Sequence, residues 1–189
     1  MKIATTSFLK HHFLIAMPHL ADSHFAQTLI YLVEHNRDGA MGLIVNRPSG
    51  LSLADILEQL RPDAPMSASS QQSPIYAGGP VQTDRGFVLH PGESQFQATL
   101  DLGELGVTTS QDVLFAIADG YGPERHLIAL GYAGWEAGQL EAELAENAWL
   151  SCPAHAQILF ELPHEQRLAA AAASLGVDLR LLSSQVGHA

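Results

Sequence analysis

Apolar and polar positions fall into short blocks along this chain, and the block lengths separate strands from helices. Phe13-Leu14-Ile15-Ala16-Met17 is a continuous apolar run closed by Pro18, the pattern of a strand buried on both faces. Thr28 to Val33 is rich in β-branched and aromatic residues and predicts a second strand. His35-Asn36-Arg37-Asp38-Gly39 predicts a turn, with Asp-Gly as its hairpin signal, and Gly42 to Val45 predicts the return strand, stopped by Asn46-Arg47-Pro48. Ser52 to Leu60 has helical apolar spacing behind a Ser cap. Residues 61–74, rich in Pro and Ser, predict a polar loop.

Ile75-Tyr76-Ala77 leads into Gly78-Gly79-Pro80-Val81, and Gly86 to His90 predicts a further strand, with another over Phe96 to Leu100. Thr109-Ser110-Gln111-Asp112 predicts the cap of a helix through Val113, Leu114, Ile117 and Ala118 that ends at Gly120. His126 to Tyr132 predicts a strand. Trp135 to Asn147 predicts a helix, with Leu140, Leu144 and Trp149 on one side and Glu141, Glu143 and Glu146 on a solvated face. Gln157 to Phe160 predicts a last strand, and Glu165 to Leu175 an Ala-rich helix behind Pro163, stopped by Gly176. Strands and helices interleave, yet the early strands come as a hairpin. The expectation is a mixed α/β (α+β) fold: one domain over 1–189, its mixed, partly antiparallel sheet flanked by helices.

Composition narrows the function. The chain has 189 residues, 47% of them hydrophobic, and a net charge of −11. Both lysines lie in the first ten residues and the seven arginines are scattered. A general phosphate-backbone binder needs a cationic surface, so direct DNA binding is disfavoured. No run of about 18 apolar residues occurs, which predicts no membrane span. The opening residues lack an apolar signal core, and the lone Cys152 rules out an internal disulfide; both predict a cytoplasmic protein.

Chemistry-bearing motifs are sparse. The ten histidines show no His-Glu-x-x-His, and one thiol makes no multi-thiolate zinc site; no metal or cofactor is predicted. No Gly-x-Ser-x-Gly, P-loop or Gly-x-Gly-x-x-Gly occurs. Cys152 is a redox candidate, although a small buried hydrophobe is the simpler reading. The glycine loops at 78–79, 120–122 and 131–134 allow close backbone approach. Each loop alone reads first as a structural turn; together with Asn46 and Arg47 they predict a candidate ligand-binding cleft of Asn46, Arg47, Gly78, Gly79, Tyr132 and Trp135, in which Arg47 would orient an anionic group.

These motifs also carry a resemblance. Phe13 to Pro18, Tyr31-Leu32-Val33-Glu34-His35 and Gly39 to Pro48 resemble the opening of the bacterial YqgE/AlgH family. The likeness continues through Gly78-Gly79-Pro80-Val81, Gly86 to His90, Ser110-x-Asp112, Gly120-x-Gly122-Pro123 and Gly131 to Leu144. It closes with Asn147-x-Trp149-Leu150 and the terminal Gly187-His188-Ala189. Leu168 departs from the Trp that many relatives carry there. The resemblance implies a soluble cytoplasmic protein of unusual α/β topology, with no helix-turn-helix and no established catalytic residues. It also implies a role in transcriptional regulation of alginate synthesis. Residues and resemblance together favour a non-catalytic binding or regulatory protein working through a protein partner or small ligand. The alternatives are an enzyme acting on a small anion near Arg47, and a thiol sensor through Cys152.

Overall fold

The computed structural model describes residues 8–184, so the opening residues 1–7 and the terminal Gly187-His188-Ala189 motif lie outside the described residues. Ten strands form one sheet. β1 (His12–Ala16), β2 (Leu29–Asn36) and β3 (Gly39–Ile44) are antiparallel neighbours. β4 (Pro48–Ser52) leads into α1 (Leu53–Leu60), α2 (Ala68–Gln72) and β5 (Pro74–Ala77). Then follow β6 (Val81–Pro91), β7 (Thr99–Asp101), β8 (Leu105–Thr108), α3 (Asp112–Ala118) and β9 (Leu127–Glu136). The chain continues through α4 (Gln139–Ala145), β10 (Trp149–Pro153), α5 (Ala156–Phe160), α6 (His164–Ser174) and α7 (Leu179–Ser184). The strand order is β10-β1-β2-β3-β9-β6-β8-β7, with β5 added parallel to β9 and β4 antiparallel to β5. The mixed, largely antiparallel architecture matches the expectation.

The sheet turns on β9, the long strand with two partners along one edge. Its first half, Ile128 to Leu130, pairs with β5; its second half, Ala133 to Glu136, pairs with β3. At the handover Gly78 bridges both, donating to Leu130 O at 2.7 Å while its own carbonyl accepts from Ile44 N at 2.8 Å. Gly79 and Gly131 meet backbone to backbone there. A Cβ on Gly131 would stand 2.4 Å from Gly79 O, and Gly131 sits at φ +78. Only glycines fit such an approach. The 78–79 and 131 glycines are therefore built into the sheet crossing.

Three cores follow from strands that bury both faces. Phe13, Tyr31, Phe87 and Leu89 pack under α5 and α6. Leu14, Ile30 and Leu32 pack with Trp135 and Trp149 against α4. Val88, Ile75 and Ile128 pack under α1 and α3. Arg167 fastens α6 across the first core, donating to Val45 O at 2.5 Å and Leu162 O at 3.1 Å, with its guanidinium over the Tyr76 ring.

Several predicted elements need correction. The hairpin loop is Arg37-Asp38, with Asn36 opposite Gly39; Gly39 starts β3, where a Cβ would strike Trp135 O at 2.2 Å. Trp135 is the penultimate residue of β9, which ends at Glu136, rather than opening a helix, and α4 begins only at Gln139. Trp149 lies on β10, a strand the pattern missed, where it completes the edge of β1. Gln157 to Phe160 is helical, within α5, and not a strand; a run this short has no period that separates the two. The 61–74 loop contains α2, capped by Ser67.

Replacing Gly131 with Ala is expected to cost about 2–5 kcal/mol, the sum of a left-handed backbone and a backbone clash. Gly103 has positive φ but nothing within 4 Å of its added Cβ. Gly103→Ala should therefore cost only about 1–2 kcal/mol. Urea denaturation of the two variants measures the difference.

Candidate functional site

The residues predicted to form a cleft are largely occupied by the chain itself. Asn46 accepts from Leu29 N at 2.9 Å and donates to Gln27 O at 3.0 Å. Arg47 donates to His24 O at 2.6 Å and Ala26 O at 2.9 Å. Together they hold the 17–28 connection against the end of β3. Two shallow hollows border them. One, about 260 Å³, brings Arg47 to Gly79 and Thr83; the other, about 320 Å³, brings Asn46 and Arg47 to His164 and Glu165. Gly78, Tyr132 and Trp135 line neither hollow. Tyr132 packs edge-on against Phe87 at 5.9 Å.

Trp135 belongs to a different assembly. Its indole N–H and that of Trp149 both donate to one oxygen of Glu143, at 2.8 and 2.9 Å. Gln139 donates to the other oxygen, and Phe25 stacks on Trp135 at 6.2 Å. Glu141, on another side of α4, accepts from His35 Nε2 at 2.7 Å. The other ring nitrogen of His35 accepts from Leu9 N, which fixes the tautomer. The acidic stripe is therefore not simply a solvated face, because two of its members anchor α4 to the sheet.

Cys152 is buried beneath α6, with its thiol toward Ala171 O. Burial pushes the thiol pKa up, so the reactive thiolate is disfavoured. Among the described residues no three His, Cys, Asp or Glu side chains come together to hold a metal.

A larger hollow than these two lies elsewhere, between α1, α3 and the sheet, with a volume of about 380 Å³. That is at the small end of the range for ligand pockets. Ile56 and Leu60 of α1 face Leu114 of α3 across it, and Val88, Ile128 and Leu130 form its floor. Gly86 opens the floor: a Cβ there would find only Leu130 Cδ2, at 3.9 Å. Leu51, 44% exposed, stands at the lining from β4. The polar wall runs from Thr108 to Gln111. Thr108 is tied to His90 Nε2 at 2.7 Å and to Thr99 at 2.8 Å, and His90 donates through Nδ1 to Pro91 O. Ser110 accepts from Ala98 N and donates to Asp112, whose other oxygen accepts from Gln97 N. The wall is thus rigid and hydrogen-bonded. Sequence reasoning missed this site, because Gly86 reads only as one residue of a predicted strand.

A family model described as AlgH-like matches residues 13–180. The chain belongs to the AlgH-like family. Within it, the chain is 78% identical over its full length to a protein of Stutzerimonas stutzeri named UPF0301 protein. It is 69% identical, again over 100% of both chains, to the UPF0301 protein AlgH of Pseudomonas aeruginosa. The solution structure of that AlgH protein superposes with a TM-score of 0.81 over 100% of both chains. A crystal structure from Corynebacterium diphtheriae, 18% identical, shares the fold with a TM-score of 0.72 over 93% of this chain and 91% of that one.

In this AlgH-like chain the motif residues are thereby given physical roles. Gly39, Gly78, Gly79 and Gly131 permit strand crossings, Asn46 and Arg47 hold a connection, and Trp135, Glu143 and Trp149 anchor α4. Glu143→Ala leaves two largely buried indole N–H groups without their acceptor. A loss of about 2–5 kcal/mol is expected, with altered tryptophan fluorescence of the native state. A fluorescence-monitored urea transition reads both.

Asp112 gives an acid-side test. Desolvation pushes its carboxyl up, but hydrogen bonds from Ser110, Gln97 N and Val113 N outweigh this and hold it below the ordinary value. Its stabilisation is present above the unfolded-state pKa of about 3.9 and is lost as pH falls through the lower folded value. Asp112→Asn is expected to flatten the acid limb of stability, checked by melting curves across that range.

Proposed function

We propose that this protein is a non-catalytic binding and regulatory protein that holds a small, mainly apolar ligand in the cavity between α1 and α3. The observation that carries the proposal is the cavity above Gly86: open space of about 380 Å³ against seven aliphatic side chains and a hydrogen-bonded polar wall. It combines apolar lining with a few fixed polar groups, as small-molecule sites do. The cytoplasm is its proposed setting, and occupancy of the cavity is proposed to alter α1 and α3, the surface a protein partner would read.

Regulation by gripping DNA has less support, since the net charge is −11 and the arginines are individually engaged or scattered. The alternative of an enzyme acting on an anion beside Arg47 is weakened by that guanidinium's bonds to His24 and Ala26. The thiol-sensor alternative is weakened by the burial of Cys152. A regulatory role related to alginate synthesis is carried by family likeness alone.

A fragment bound here at one hundred times its Kd should stabilise the protein by about 2.7 kcal/mol and raise Tm by roughly 5–10 °C. Gly86→Leu places a side chain in the cavity without backbone conflict and is expected to abolish the shift while remaining folded. Thermal-shift and amide NMR titrations with small aromatic fragments test this. Binding unaffected by Gly86→Leu, or mapped to Arg47 and His164, overturns the proposal.

A further inference from the structure

The charges around the α1–α3 cavity are one-sided. Its lining contains no Lys, Arg or His, and one carboxylate, Asp84. The other polar groups of the lining, including Gln59, Thr109 and Gln111, are neutral. A second carboxylate stands behind the polar wall, because the Ser110 hydroxyl that lines the cavity donates to Asp112.

The neighbouring cations are turned elsewhere. Arg85, next to Asp84, lies over the Phe87 ring at 5.2 Å, and Phe87 belongs to the core on the opposite face of the sheet. Arg61, following the cavity residues Gln59 and Leu60, makes two bonds of 3.1 Å to Asp119 and stacks on Phe115. The formal charge of the lining is therefore negative, in a protein whose overall charge is −11.

An apolar floor with a carboxylate at its border and no cation in its lining discriminates among ligands by charge. An anionic head meets Asp84 and, beyond the wall, Asp112 without a counter-charge. A neutral head gains only hydrogen bonds. An ammonium head gains attraction from both carboxylates while its apolar body covers Val88, Leu114 and Ile128. We propose that the cavity selects a small cationic amphiphile, an apolar body bearing one amine, with the body above Gly86 and the amine toward Asp84. This rests on the reading of the cavity as a binding site and names the ligand class it takes.

The test uses three probes with one body and three heads: phenylpropylamine, phenylpropanol and phenylpropanoate. Each is titrated into the full chain at low and raised salt, followed by amide NMR. An exposed ion pair is worth up to about 1 kcal/mol, or about fivefold. The amine is expected to bind about two- to fivefold more tightly than the alcohol, and the carboxylate more weakly than either. Raised salt should narrow the range. Asp84→Asn should bring the amine-to-alcohol ratio toward one, whereas Asp38→Asn, in the distant β2–β3 turn, should leave it unchanged. Equal binding of all three heads, or preference for the carboxylate, overturns the charge class and leaves the cavity reading standing. No binding of any probe overturns both.

Discussion

The architecture depends on one close approach: the backbone of Gly78 and Gly79 laid against Gly131 and Tyr132 of β9. Without it β9 cannot exchange β5 for β3 along the same edge, and the two parts of the sheet would lose their common strand. Close backbone packing accounts for glycines at these three positions. The same crossing places β6 on the other edge of β9, with Val88 opposite Ile128. That pairing forms the floor over which α1 and α3 pack, so the cavity is a consequence of the crossing.

Polar side chains divide into two groups by what they touch. Asn46, Arg47, Glu141, Glu143 and Arg167 bind the chain's own backbone or side chains and tie connections and helices to the sheet. Leaving their partners unsatisfied in the interior would be costly, which is reason enough for such residues. Around the α1–α3 cavity the arrangement differs. The Thr108–His90 and Ser110–Asp112 pairs stiffen one wall, while Gly86 withholds a side chain from the floor. A partly empty space results between α1, α3 and the sheet.

Much of the fold was legible in the sequence because both its strands and its caps left local signals. The continuous apolar runs of β1 and β2 marked strands buried on both faces, and Ser52 with Asp55 formed the capping box that starts α1. Short segments were not legible. Trp149 to Pro153 and Gln157 to Phe160 are each too brief to show a period, and only the free edge of β1 decides which becomes a strand. The candidate site was less legible still. The motifs drew attention to Arg47 and the glycine pairs, but sequence separation hides that Arg47 spends its donors on His24 and Ala26. A cavity made by an absent side chain at Gly86 leaves no chemical signature in a chain read residue by residue.

The most direct measurement of the central claim is methyl NMR of the protein under xenon pressure, since xenon enters preformed apolar cavities without needing a matching head group. The account predicts xenon-induced shifts confined to methyls of the lining, Leu51, Ile56, Leu60, Val88, Leu114, Ile128 and Leu130 among them. Shifts absent from these methyls, or centred on Ile44 and Ala77 beside Arg47, would contradict it.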